Sequence, residues 1–208
     1  MPVHGIVDAG VELFARRMAE EPGASILLLG TKTTIESGVH KERLERAGVG
    51  AGRIAAVSCH GLAGAIERDV NGPRTDELIG VCAARAAAAA PPGAPAFLGL
   101  CCTHYGYVAD RLVGAVSARS SRRVLALDPN AHLIATLAAD GSFLGGERLP
   151  GAGGASASER VRGSVSVELV SKVTLSDAAR AGIARLVEPV SPATAGALLS
   201  YAHVPDLF

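Results

Sequence analysis

Short apolar runs alternate along the chain with longer amphipathic or Ala-rich stretches. Runs at residues 3–7, 26–29, 54–57, 97–100, 124–127 and 165–170 read as strands. Between them, helical spacing of apolar positions predicts helices over 11–21, 37–47, 62–69, 75–89, 107–118, 131–139 and 176–186. Thr75 before Glu77, and Ser176 before Asp177, put a capping hydroxyl and an acid at two of the helix starts. Alternation of this kind is the pattern of an α/β protein built on an open, mostly parallel sheet with helices on both faces. The period is lost over 141–163 (GSFLGGERLPGAGGASASERVRG), which reads as a long loop or linker and suggests a boundary. Three regions follow: an α/β domain over 1–140, the linker over 141–163, and a strand, helix and tail over 164–208, the tail from 189 being a Pro-punctuated appendage.

Composition narrows the function. The chain has 208 residues, with 20 Lys plus Arg against 20 Asp plus Glu. A formal net charge of zero argues against a nucleic-acid or anionic-membrane partner, which would need a basic field. Aromatics are only 3% and Trp is absent, so the stacking platforms of single-strand binders are missing too. Basic charge is carried almost wholly by Arg, since Lys occurs only at 32, 41 and 172, a usage typical of GC-rich bacterial genomes. Asp8 and Glu12 near the N-terminus do not fit a signal peptide, and the weakly polar stretch 81–102 is interrupted by Arg85, Pro91, Pro92 and Pro95. These features predict a cytoplasmic protein whose four cysteines, Cys59, Cys82, Cys101 and Cys102, are free thiols. Their spacing fits no zinc site, and no metal or cofactor is expected.

In open parallel sheets, ligands sit outside the carboxyl ends of the strands. The residues that follow successive predicted strands are Gly30 to Thr34, Ser58 to Gly61, Cys101 to His104, and Asp128 to Asn130. Thiols, hydroxyls, imidazoles and a carboxylate therefore converge on one edge. Leu100-Cys101-Cys102-Thr103-His104-Tyr105 stands out, because a Cys between a strand and a helix start feels the positive end of the helix, which lowers a thiol pKa. His104, two residues on, is placed to exchange a proton with it. Asp128-Pro129-Asn130 reads as a turn and helix cap, His40 and His132 as surface or core positions, and Cys82 as core.

This segment resembles the second catalytic motif of the aspartate/glutamate racemase family, a Leu-Gly-Cys-Thr-His-Tyr string. Other segments match in the family's order. Residues 2–7 (PVHGIV) resemble the strand that enters its second half, and residues 30–38 (GTKTTIESG) its Gly-Thr-x-x-Thr-x-x-Ser loop. Cys59 to Glu67 resembles a Cys-Pro element with the same Cys-to-Glu spacing. The resemblance implies a bacterial, cofactor-independent isomerase of cell-wall (peptidoglycan) biogenesis that moves the α proton of a small acidic amino acid. Two cysteines on opposite faces of the substrate carbon do this in the family. Carried over, Cys102 is one base, His104 its assisting acid/base and Glu67 the carboxylate that tunes the His, while Thr31, Thr34 and Thr103 bind the substrate.

The departures are equally specific. The family's Asp-Ser-Gly and Cys-Asn-Thr motifs, the latter carrying the opposite thiol, have no counterpart, and no Cys precedes Cys59. Cys101 stands where the motif has Gly, and His60 and Gly106 stand where Pro is common. The chain thus resembles the family's second half only. Three routes stay open: an inactive remnant or ligand-binding subunit, a homo-oligomer or partner chain that supplies the missing half, or Cys59 as the opposing base. A single-thiol decarboxylase of the same superfamily is a further alternative, since it needs one Cys to deliver one proton.

Overall fold

A computed structural model describes residues 5–140 and 166–207. The chain divides into two compact units, Met1–Thr136 and Leu137–Phe208. The larger is built on four parallel strands, β1 (Ser25–Gly30), β2 (Ile54–Ser58), β3 (Ala96–Leu100) and β4 (Val124–Leu127), in the order β2-β1-β3-β4. Ile26 pairs with both Ile54 and Phe97, and Leu28 with Ala56 and Gly99, which fixes the register of the central strands. Every residue of β1 and β3 is buried, as expected for strands covered by helices on both faces.

Alternation along the strands divides the core. Ile26, Leu28 and Phe97 pack in one cluster with Leu13, Phe14 and Met18 of α1 (Ile6–Glu20) and Leu44 of α3 (Val39–Arg46). Leu27, Leu29, Leu98 and Leu100 point the other way, towards the side where α5 (Pro73–Ala89) and α6 (Ala109–Ser117) pack on each other and on β2 and β4. Gly99 is small for a reason. A Cβ there would lie 3.1 Å from both Leu28 Cδ2 and Phe14 Cζ, so α1 can settle on the sheet only because no side chain intervenes. Arg53 joins the layers from below, donating to the carbonyls of Met18, Glu21 and Ala24.

The structure departs from expectation at the chain's start. Ile6 and Val7 belong to α1, not to a strand over 3–7, of which residues 3 and 4 lie outside the described part. A five-residue apolar run is compatible with either period, and the buried positions Gly10, Leu13, Phe14 and Met18 continue the helical one from Ile6. The predicted helix 37–47 forms as α3, and the loop expected after β1 holds a further short helix, α2 (Lys32–Glu36). Gly38, at φ +67°, breaks them apart, a left-handed conformation that glycine adopts without strain.

The smaller unit contains β5 (Val170–Ser171) pairing in parallel with β6 (Ala202–His203), and α8 (Asp177–Val187) packed on α9 (Pro192–Leu199). The strand expected over 165–170 is thus shorter and later, with Val170 its only shared residue, and Val165 lies outside the described residues, as does the 141–163 linker. Ser176 caps α8 by accepting from the Ala179 amide at 3.2 Å. The tail holds a helix that sequence reading missed, started by Ser191 accepting from the Thr194 amide and by Pro192 in its first turn. The remaining helices, α4 (Leu62–Arg68) and α7 (Pro129–Asp140), follow β2 and β4.

Candidate active site

A cavity of about 380 Å³ opens at the carboxyl ends of β1, β3 and β4. The chain runs outward from β1 to β2 and then crosses back to β3, so the cavity sits where the winding direction reverses. Its lining includes Thr31 and Thr34 after β1, Cys101 to His104 after β3, and Pro129 and Asn130 after β4. Ile6 and Val7 of α1 and His40 of α3 complete it from the helix side, with Ala63 of α4.

Each polar group is held by local geometry. Thr31 caps α2, its Oγ1 accepting from the Thr34 amide at 3.3 Å while the two hydroxyls lie 2.8 Å apart. After β3 the chain turns into a 3-10 helix, Thr103–Val108, anchored by Tyr105, whose fully buried ring sends its hydroxyl to the Cys59 carbonyl at 3.1 Å. Asn130 Nδ2 donates to the Thr103 carbonyl at 3.1 Å and so ties the start of α7 to the same turn. Asp128 Oδ1 accepts from the Asn130 amide at 2.9 Å, a helix-start turn of the kind expected from its sequence.

Three residues form a connected line. Cys102 Sγ lies 3.7 Å from His104 Nδ1, and His104 Nε2 lies 2.9 Å from Glu67 Oε1. Glu67 comes from the last turn of α4 and stands behind the imidazole, while Cys102 and His104 face the cavity. A thiol, an imidazole and a carboxylate in this order can move a proton to or from a bound ligand, with the carboxylate fixing the ring's orientation.

The helix start does not set the Cys102 thiol as its position suggested. Burial pushes its pKa up, and the negative charge of Glu67 adds to that, outweighing the backbone N–H groups of His104 and Tyr105, which pull it down. Cys101 is more deeply sunk, packs against the core beside Gly99 and is pushed up to about 12, mainly by burial.

The four-thiol expectation is corrected. Cys59 and Cys82 form a disulfide, with Cα atoms 5.2 Å apart, and only Cys101 and Cys102 are free. Packing of α5 on β2 brings the two positions together, which no sequence spacing announces. Cys59, 4% exposed, does not line the cavity and has no thiol to offer as an opposing base. Cavity positions that sequence reading passed over are His40 and Asn130. The strand-end rule pointed to Asn130; His40, on a helix, carried no such signal.

No family model matches the sequence, and no curated protein matches it. Among solved structures, a glutamate racemase from Campylobacter jejuni subsp. jejuni superposes with a TM-score of 0.53 at 21% identity, covering 67% of this chain and 51% of that one. The fold is that of glutamate racemases. RacE1, a glutamate racemase isoform from Bacillus anthracis, matches with a TM-score of 0.50 at 16% identity, over 68% of this chain and 50% of that one. The chain therefore spans about half the length of the racemases it resembles. Among the described residues no helix is long and apolar enough to cross a membrane, and no cluster of His, Cys, Asp and Glu is arranged to hold a metal.

Proposed function

We propose that the chain carries one half of a cofactor-independent amino-acid racemase site and acts at the α carbon of a small acidic amino acid such as glutamate or aspartate. The observation that carries this reading is the line from Cys102 through His104 to Glu67 at a cavity that also presents the hydroxyls of Thr31, Thr34 and Thr103. The Cys102 thiolate takes the α proton, the electron pair of the broken C–H bond passes into the carboxylate as an enediolate, and hydroxyls and backbone N–H groups stabilise that charge. Return of a proton to the carbon completes the exchange. His104, backed by Glu67, takes the thiol's proton beforehand and gives it back afterwards.

One base works on one face. Cys101 adjoins Cys102 at the same strand end, with its thiol pushed up to about 12 mainly by burial, and Cys59 is bonded to Cys82, so inversion of configuration requires a thiol from a partner chain or a second copy. Incubated alone with L- or D-glutamate in deuterated water, the chain is expected to exchange the α proton with retention of configuration, and Cys102→Ser to abolish the exchange. Binding of glutamate without any exchange would instead identify a ligand-binding subunit, and neither binding nor exchange of any acidic amino acid would overturn both.

A second reading is favoured by the raised pKa of Cys102, which keeps the thiol protonated. A single-thiol decarboxylase loses carbon dioxide from a malonate-type acid, and the resulting enediolate takes its proton from Cys102, which water then replenishes. Carbon dioxide release from an arylmalonate, absent in Cys102→Ser, would support this in place of racemisation.

A further inference from the structure

Among the described residues, the cavity proposed to receive an acidic ligand is lined by no Lys or Arg. The two histidines of that lining supply imidazole N–H donors, and His104 is already engaged between Cys102 and Glu67. That leaves His40. It sits in the first turn of α3, next to the Gly38 break, and is 8% exposed. Its Nδ1 is sealed from solvent with no hydrogen-bond partner. A buried polar atom without a partner is rare and calls for an explanation. An unpaired N–H donor is the worse orphan, so the neutral ring is best carried with its proton on Nε2, where it can be donated. Arg43, one turn along α3, is paired with Asp8 of α1, so it is committed elsewhere.

We propose that His40 is the carboxylate-recognising residue of this cavity, donating from its imidazole to one carboxylate of the ligand. The inference rests on the acidic-ligand reading of the site and adds the residue that makes the cavity selective for charge. Burial and the Arg43 guanidinium hold the imidazole below its ordinary pKa, so it stays neutral, and Nδ1 keeps no proton that would lack a partner. A carboxylate supplies the acceptor for the Nε2 proton, and a hydrogen bond to a charged acceptor is of the stronger kind.

The test compares glutamate with its two monoamides, glutamine and isoglutamine, by calorimetric titration of the full chain. The wild type should bind one of the amides about 10- to 100-fold more weakly than glutamate, the span of one hydrogen bond to a charged group. His40→Phe should erase that discrimination by lowering glutamate affinity to that of the disfavoured amide, and His40→Gln, which keeps an N–H donor, should retain part of it. A purely structural His40 would weaken all three ligands together, which would overturn the proposal, as would unchanged discrimination in His40→Phe or none in the wild type. Should His40→Phe fold poorly, proton NMR of the wild type decides. The imidazole resonance lost in His40→Gln should shift on adding glutamate and not on adding the disfavoured amide; no shift overturns the proposal. Glutamate binding with this selectivity but no α-proton exchange would remove the racemase reading and leave the role of His40 standing.

Discussion

Cys102 illustrates how opposing local effects set a residue's chemistry. Its position after a strand and before a helical turn was legible in sequence, as was His104 two residues away, while Glu67 came through family resemblance. The balance of charge at the thiol was not legible, because it depends on how much surface buries it. Since ionisation creates the charged form, burial and Glu67 raise the pKa above the ordinary 9.0 and leave little thiolate at neutral pH. Alkylation of Cys102 by iodoacetamide should therefore climb about tenfold per pH unit from neutrality and still be rising at the ordinary thiol pKa; a plateau below pH 8 would contradict the burial argument. Glu67 and His104 are both about one-third exposed, so their contact adds little to stability. Glu67→Gln is accordingly expected to slow α-proton exchange by about ten-fold or more through loss of ring orientation and charge, with the melting temperature shifted by no more than about 4 °C. A large loss of stability with exchange intact would reverse the assignment.

At the level of elements, the strands at β1 to β4 were readable because their apolar runs are short and bounded by turn residues. Where period was ambiguous, packing chose. Ile6 and Val7 became helix because α1 needs a continuous face for Leu13, Phe14 and Met18 against the sheet. Gly99→Ala should test that close approach, since its methyl would press on Phe14 and Leu28. Overpacking of this kind costs about 1–3 kcal/mol, read as a lower denaturant midpoint, and an unchanged midpoint would show that α1 shifts freely. The link between α5 and the end of β2 is testable by counting thiols. Denatured without reductant, the chain should react at Cys101 and Cys102 only, and at all four cysteines after reduction. Four reactive thiols before reduction would remove the Cys59–Cys82 bond and return Cys59 to consideration as a base.

For the molecule as a whole, the chain matches about half the length of two racemases, and its two free thiols, Cys101 and Cys102, are neighbours at one strand end; on the racemase reading proposed above, the opposing base comes from elsewhere. If a second copy supplies it, light scattering at micromolar concentration should give twice the 21.0 kDa of one chain, and Cys102→Ser should leave that mass unchanged while stopping exchange. A monomer that nevertheless inverts glutamate would refute the need for a partner. The local order of strands, helices and chemistry-bearing strand ends was determined by the sequence itself, because periodicity, turn residues and caps act over a few neighbours. What only the tertiary structure decided is which distant positions meet: Cys59 with Cys82, Glu67 behind His104, and His40 at the cavity that Thr31 and Cys102 also line. These pairings depend on how helices seat on the sheet, and that is settled by burying area across the whole unit and not by any short stretch of chain.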